Sequence, residues 1–181
     1  MFSIEQKITL LKLARQAIAA HFEPLRPELP TDPEFEQKAG LFVSLHIGEN
    51  LRGCIGYIKG YKPLAQSVVE MAQAAAFRDP RFAPLGKAEM DKVNIEISVL
   101  SELILMDNGE EPVIGRDGLY IEHPYGSGLL LPQVPVEWKW NASTFLKEVC
   151  RKAGLHNSAY LDAKSRLYRF TAEVFSEADT F

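Results

Sequence analysis

The chain has 181 residues, of which 46% are hydrophobic and 24% are charged, and its formal net charge at pH 7 is −4. This composition is typical of a soluble globular domain and excludes a disordered chain. The small acidic excess argues against a nucleic-acid binder, because such proteins carry a basic excess that displaces counterions from phosphate.

Other whole-chain features narrow the class of protein further. Two cysteines are too few for a disulfide framework. The first residues lack a signal-peptide core, and no apolar run reaches the roughly 20 residues that a membrane helix needs. We therefore expect one cytoplasmic domain over residues 1–181.

The first predicted element is a helix that begins after Ser3. Ser3 and Gln6 form a capping box, and apolar residues then recur at helical spacing as far as Ile18. The helix is expected to stop before Pro24, where prolines at every third position to Pro33 favour an extended path. We interpret this stretch as a stiff surface loop; the alternative is a PxxP ligand for an aromatic groove.

The middle of the chain is predicted to form a β-hairpin, a helix and a further strand. Residues 41–47 and 51–58 read as strands, and the Gly-Glu-Asn between them suits a tight turn. Pro63 suits the first turn of a helix, which the Asp-Pro pair at residues 79 and 80 ends. Residues 93–99 alternate and predict a strand with one polar face.

The C-terminal half is predicted to hold three more strands and one more helix. Residues 118–122 and 128–131 read as strands joined by a turn. Asn141 can cap a helix, and Gly154 supplies the left-handed position beyond its end. Residues 167–175 read as a closing strand. Because most connections are short, we expect the α+β class, with an antiparallel sheet and flanking helices.

Cys54 is the first candidate for chemistry. Arg52 shares its strand face, and a nearby guanidinium favours the nucleophilic thiolate. One interpretation is therefore a reactive Cys54 with Arg52 as its electrostatic partner or as an anion anchor. The other is a small buried cysteine where strand meets helix. Gly53 and Gly56 permit close approach of another backbone or of a ligand, so both interpretations stay open.

Pairing of the two hairpin strands brings further polar side chains near Cys54. If the apolar faces match, His46 lies across from Arg52, and Ser44 lies across from Cys54. A Cys54–His46 pair would be a nucleophile and its base. An exposed sheet face explains His46 equally well.

Three more segments carry candidate site residues. Asp79 and Arg81 flank a proline, and we favour an ion pair that locks this turn over an Arg81 guanidinium aimed at a carboxylate or phosphate. Glu96 is a solvated residue, a partner for an arginine or a general base. Gln133 follows a proline and presents its amide either to a ligand or to the backbone.

Metal and thiol chemistry elsewhere has little support. Cys150 lies on the apolar stripe of the last predicted helix and reads as core. The chain lacks C-x-x-C, H-E-x-x-H and carboxylate-loop motifs, and its four histidines lack ligand spacing, so we predict no metal site. The sequence leaves any cofactor open.

Taken together, these segments resemble the AMMECR-type domain family, named for a human AMME-syndrome candidate-region protein. The resemblance rests on the hexapeptide at residues 51–56, the segments at 75–82 and 95–100, the Leu-Leu-Pro-Gln segment at 128–134, and residues 150–155. It spans nearly the whole chain in order. The stretch around residues 135–138 departs from the family pattern.

The resemblance implies an α+β domain in which a larger lobe gathers both termini and a smaller lobe leaves a cleft. It also implies which positions matter: Arg52, Gly53, Cys54, Asp79, Arg81, Glu96, Gln133 and Lys152. His46 is outside the pattern, which argues against a Cys–His dyad. Some family members are fused to, or encoded beside, Memo-like proteins and radical-SAM enzymes, which implies a shared enzymatic pathway.

Two functions of different classes follow. In the first, the chain is an enzyme or enzyme component acting on a small molecule, with Cys54 as nucleophile or thiol ligand, Arg52 and Arg81 as anion anchors and Glu96 as proton acceptor. In the second, it is a non-catalytic adaptor or ligand-binding module that presents the same cleft. A nucleic-acid-associated role ranks third, because the sequence has no dense basic run.

Overall fold

The computed structural model describes residues 1–24 and 26–180. The chain divides into two units, the first formed by Met1–Val99 with Glu173–Phe181 and the second by Leu100–Ala172. Each unit contains one four-stranded sheet. The α+β class is confirmed, and the larger unit gathers both end segments, as the resemblance implies.

The helices and strands, in chain order, are α1 (Ile4–Ala19), β1 (Leu41–Ile47), β2 (Asn50–Tyr57), α2 (Leu64–Phe77), β3 (Val93–Leu100), β4 (Ile104–Leu105), β5 (Gly118–His123), β6 (Gly126–Leu130), α3 (Gln133–Glu137), α4 (Ala142–Lys152), β7 (Arg166–Phe170), β8 (Ala172–Ser176) and α5 (Glu177–Thr180). Short 3-10 turns lie at Pro33–Glu36, Lys87–Glu89 and Ala159–Leu161. Within residues 1–24 and 26–180, no helix is long and apolar enough to span a bilayer.

The strand order in the sheet of the first unit is β2-β1-β3-β8, α2 packs against β1 and β2 of this sheet, and α1 packs against α2. Leu41, Val43 and Leu45 alternate along β1 and are fully buried in this core. The predicted capping box at Ser3 is present, so the start of α1 is confirmed. Of the predicted proline-rich path, Leu25 lies outside the described residues, and the segment ends in a 3-10 turn at Pro33–Glu36.

Of the two cross-strand pairs predicted for the hairpin, one is present and the other is not. Ser44 lies opposite Cys54, which confirms that pair. The predicted His46–Arg52 pair is wrong, because the register shifts between Leu45 and His46. His46 lies opposite Leu51 instead, so Arg52 is the extra residue of a bulge, which a match of apolar faces does not reveal.

The second unit packs α4 against its sheet, whose strand order is β4-β7-β5-β6. The Asn141 side chain accepts a hydrogen bond from the N–H of Thr144 and caps α4, as predicted. Gly154 has φ of +72° just beyond the helix end, as predicted. Cys150 is fully buried among the apolar residues of this core, which confirms its structural interpretation.

In the C-terminal half, one strand prediction is wrong and another has different bounds. The closing strand at 167–175 is two strands, because β7 and β8 flank Thr171 and belong to different sheets. The Thr171 peptide is held by Ser101, whose hydroxyl accepts its N–H and whose own N–H donates to its carbonyl. The strand predicted at 128–131 begins earlier, at Gly126, and ends at Leu130 before the turn into α3.

Gly53 allows β2 to approach α2 closely, and its replacement by alanine tests this packing. A Cβ at Gly53 would lie 2.1 Å from the carbonyl oxygen of Ala75 in α2. Backbone must therefore shift, and we expect Gly53→Ala to lower the free energy of unfolding by about 1–3 kcal/mol, measured by urea denaturation.

Gly86→Ala is the matched control, because a Cβ there would make an ordinary 3.5 Å contact with a Glu89 carboxylate oxygen. It should change stability by less than about 0.5 kcal/mol. An equally small effect of Gly53→Ala would contradict the packing role of Gly53.

Candidate functional site

Three polar side chains line up across neighbouring strands of the first unit. Ser44 of β1 lies opposite Cys54 of β2 on one side and opposite Glu96 of β3 on the other. Because side chains alternate along a strand, this Cys54 row points away from the face on which Val43 and Leu45 pack into the core. The sheet thus aligns a thiol, a hydroxyl and a carboxylate on one surface.

Cys54 and Ser44 are in direct contact. The Ser44 hydroxyl donates a hydrogen bond to the Cys54 sulfur, with 3.1 Å between Oγ and Sγ. Ser44 is only 7% exposed, whereas Cys54 is half-buried. The backbone N–H and C=O of Cys54 point away from Ser44. This makes Ser44 and Cys54 a non-hydrogen-bonded strand pair, the arrangement that brings facing side chains closest.

An ion pair binds the backbone of Cys54 from the outer side of β2. The Cys54 N–H donates to Asp79 Oδ2 at 2.9 Å, and Arg81 Nη2 donates to the Cys54 carbonyl at 3.2 Å. The same guanidinium donates to both Asp79 oxygens, at 3.0 and 2.8 Å. The ion pair favoured from sequence across the proline is therefore present, and it completes the hydrogen bonds of an edge strand.

The electrostatics of this pair follow from its hydrogen bonds. Arg81 holds the pKa of Asp79 well below its usual range, helped by the N–H groups of Cys54 and Arg81, although burial of the carboxyl opposes the effect. The Asp79 hydrogen bonds also raise the pKa of Arg81. Both groups are therefore charged at neutral pH.

The pKa of the Cys54 thiol is raised, whereas that of Asp79 is lowered. Burial raises the pKa of its thiol, and the Ser44 hydrogen bond and the Arg81 charge only partly offset this. The carboxylates of Asp79 and Glu96 raise the pKa further. The side chain is thus a neutral thiol near pH 7, because its neighbours do not stabilise a thiolate enough to overcome burial.

Arg52 pairs with Glu89 rather than with Cys54. Its guanidinium donates to both Glu89 carboxylate oxygens, at 2.8 and 3.0 Å, and to the carbonyl of Ala83 at 2.9 Å. Arg81, rather than Arg52, is the cation that acts on the thiol of Cys54. Glu89 was not predicted, because nothing in the local pattern marks it as the partner of a residue 37 positions away.

The remaining predicted positions are not members of the Cys54 row. Gly53 faces α2 and serves packing. His46 lies opposite Leu51 rather than beside the thiol. Gln133 belongs to the second unit, where its Oε1 is buried and accepts no hydrogen bond from any described residue. Lys152 is the last residue of α4.

The first unit by itself brings together Cys54, Glu96, Asp79 and Arg81, with Ser44 added by the sheet register. The cleft between two lobes that the resemblance implies stays a prediction. Across the described residues, no group of three or more His, Cys, Asp or Glu side chains is arranged to hold a metal ion.

Comparisons with known proteins give one family. Residues 11–175 match the family model described as AMMECR1. A protein of Methanothermobacter thermautotrophicus is 43% identical over 178 residues, which cover 93% of this chain and 93% of that relative. Protein PH0010 of Pyrococcus horikoshii is 43% identical over 181 residues, which cover 93% of this chain and 88% of that relative.

A solved structure agrees with the fold. The crystal structure described as uncharacterized protein PH0010 from Pyrococcus horikoshii matches with a TM-score of 0.85 and 40% identity. The match covers 94% of this chain and 91% of that one. Fold and sequence therefore agree over nearly the whole length.

Removing the charge of Asp79 tests the ion pair. The Asp79 side chain is 1% exposed and accepts hydrogen bonds from two N–H groups and one guanidinium. We expect Asp79→Asn to lower the free energy of unfolding at pH 7 by about 2–4 kcal/mol in urea titrations. Asp107→Asn, at an exposed carboxylate, is the control and should change it by less than about 0.5 kcal/mol.

The lowered pKa of Asp79 also predicts that the loss of stability in Asp79→Asn depends on pH. The folded-state pKa of Asp79 is lowered, so its stabilisation is present above the unfolded-state pKa of about 3.9 and is lost as pH falls below it. The stability gap between wild type and Asp79→Asn should therefore shrink between pH 5 and pH 2. A gap that grows on acidification would contradict the charged Asp79–Arg81 pair.

Alkylation of Cys54 tests its protonation state. Because burial raises the pKa of the thiol, iodoacetamide at pH 7.5 should react more slowly with folded protein than with the same chain in urea. Each unit of raised pKa removes about tenfold of the thiolate. Cys54→Ala gives the background from the buried Cys150, and folded-state labelling faster than unfolded-state labelling would show a stabilised thiolate.

Proposed function

The chain belongs to the AMMECR1 family, and we propose that it is an enzyme component that holds a small polar ligand over the Cys54 row, with Cys54 as a neutral thiol. The observation that carries this proposal is the alignment of Cys54, Ser44 and Glu96 across three strands. The Asp79–Arg81 ion pair also holds the backbone of Cys54 in place. A fixed backbone keeps reacting groups in place before a ligand arrives.

The chemistry available to the row follows from its groups. A neutral thiol is a weak hydrogen-bond donor and becomes a soft nucleophile only when it loses its proton, and Glu96 supplies a carboxylate two strands away. Ser44 donates to the sulfur, so it would stabilise a thiolate formed during a reaction. We therefore assign Cys54 the role of the reacting or ligand-contacting thiol and Glu96 the role of the proton acceptor.

The arginines have a different role in this proposal. Arg81 is 53% exposed and keeps N–H groups toward solvent while bound to Asp79. Its partly neutralised charge suits a polar or weakly anionic ligand group better than a strong anion clamp. Arg52 is held by Glu89 and supports the loop after α2.

Ligand capture tests the proposal. Immobilised wild-type protein, incubated with a small-molecule extract of the source cells and analysed by mass spectrometry, should retain a polar compound. Cys54→Ala and Glu96→Gln should each retain at least about tenfold less, and Glu28→Gln, at an exposed residue of the proline-rich segment, should retain as much as wild type. Equal retention by all four proteins would contradict a ligand site at the row.

A second function, the non-catalytic adaptor, is favoured by one surface of the second unit. Trp138 is 67% exposed and stacks on Trp140 with ring centroids 6.2 Å apart. Exposed tryptophans are enriched where proteins bind partners. We infer a Memo-like or radical-SAM protein as the partner class, because the family resemblance implies that some members are fused to, or encoded beside, such proteins.

Two variants separate the functions in a binding assay with a purified Memo-like protein. If the chain is an adaptor, Trp138→Ala weakens association and Cys54→Ser leaves both association and the product of the pathway unchanged. If it is an enzyme component, Cys54→Ser abolishes product formation whether or not association persists.

A further inference from the structure

The second unit contains a cavity of about 550 Å³, and none of the residues that line it belongs to the Cys54 row. All the residues that line it lie between Leu105 and Leu167, so the second unit forms it alone. Sites for small molecules have volumes of roughly 300–1,000 Å³. The cavity is therefore large enough for a small organic ligand.

Part of its lining is apolar and open to solvent. Leu105 of β4 and Leu161 of the 3-10 turn are 56% and 66% exposed, and Leu167 of β7 and Tyr160 lie beside them in the wall. Exposed leucines within a concave surface gain free energy when a ligand covers them, at about 25 cal/mol per Å². This part of the wall suits the apolar body of a ligand.

The polar part of the lining is acidic. Its single guanidinium belongs to Arg166, which is exposed. The carboxylates that line the cavity are those of Asp107, Glu110, Glu111 and Asp162. The excess of carboxylates gives the cavity a negative field, which attracts cations and repels anions.

Two of these carboxylates are already partnered within the unit. Glu110 accepts a hydrogen bond at 2.8 Å from an arginine of β7, and Asp162 lies 3.6 Å from Nε2 of His123. The carboxylates of Asp107 and Glu111 have no hydrogen-bond or ion-pair partner among the described residues. These two are the groups that an incoming cation can pair with.

We propose that this cavity binds a small organic cation, with its ammonium group paired with Asp107 and Glu111 and its apolar body against Leu105 and Leu161. The combination of free carboxylates with exposed leucines selects an amine that carries an alkyl or aryl body, because a bare metal ion would leave the leucines uncovered. A small molecule fits better than a protein surface, since a stable protein interface needs about 800 Å² on each partner.

The test uses 4-phenylbutylamine as the probe and 4-phenylbutan-1-ol as its neutral counterpart, titrated into the full chain by calorimetry and by NMR. We expect saturable binding of the amine and at least about fivefold weaker binding of the alcohol, as for exposed charge pairs. The double variant Asp107→Asn/Glu111→Gln should weaken amine binding about five- to tenfold and leave alcohol binding unchanged.

Glu137→Gln, at an exposed carboxylate of α3 outside the cavity, is the matched control and should bind the amine as wild type does. The single variants Asp107→Asn and Glu111→Gln repeat the test with less change to the fold. Equal affinity for amine and alcohol, unchanged amine binding by the double variant, or no saturation would overturn the proposal. So would tighter binding of a lysine-bearing peptide than of the free amine, since the occupant would then be a protein.

Discussion

The candidate site depends on the way Asp79 and Arg81 complete the edge of the first sheet. β2 is an edge strand, and an edge strand exposes N–H and C=O groups that can pair with another chain. At Cys54 the carboxylate of Asp79 accepts the outward N–H, and the guanidinium of Arg81 donates to the outward carbonyl. The two side chains together replace the missing neighbouring strand. Both backbone polar groups of Cys54 are thereby hydrogen-bonded on the outer edge of β2.

This arrangement explains why the thiol is neutral although an arginine lies next to it. Arg81 makes two hydrogen bonds to the carboxylate of Asp79, which neutralises much of its charge. Its effect on the pKa of the Cys54 thiol is therefore small compared with that of burial. Burial therefore has the largest effect on the pKa of the thiol, because moving the thiolate out of water costs more free energy than the attraction of a neutralised arginine supplies. A thiol of this kind gives up its proton only when a ligand or a base changes its surroundings.

Much of the fold and part of the site could be predicted from local signals. The capping box at Ser3, the alternation of residues 41–47 and the cap at Asn141 each placed an element close to its observed bounds, because these signals act within one turn or one strand. Matching the apolar faces of the hairpin placed Ser44 opposite Cys54. The same reasoning failed at Arg52, because a bulge adds a residue without disturbing the alternation on either side. It also failed at Thr171, since an unbroken apolar pattern does not show that a strand has moved to another sheet.

The sequence by itself determined the α+β class, the family and the residues that carry polar groups in otherwise apolar motifs. Only the tertiary structure decided which of these groups meet. Asp79 accepts a hydrogen bond from the N–H of Cys54, which is 25 positions away in the sequence, and Arg52 pairs with Glu89, which is 37 positions away. Local propensity and periodicity act over a few residues, whereas such pairs depend on how α2 and the loop after it pack against β2. That packing separated the two arginines, leaving Arg81 beside the thiol and Arg52 in a structural ion pair.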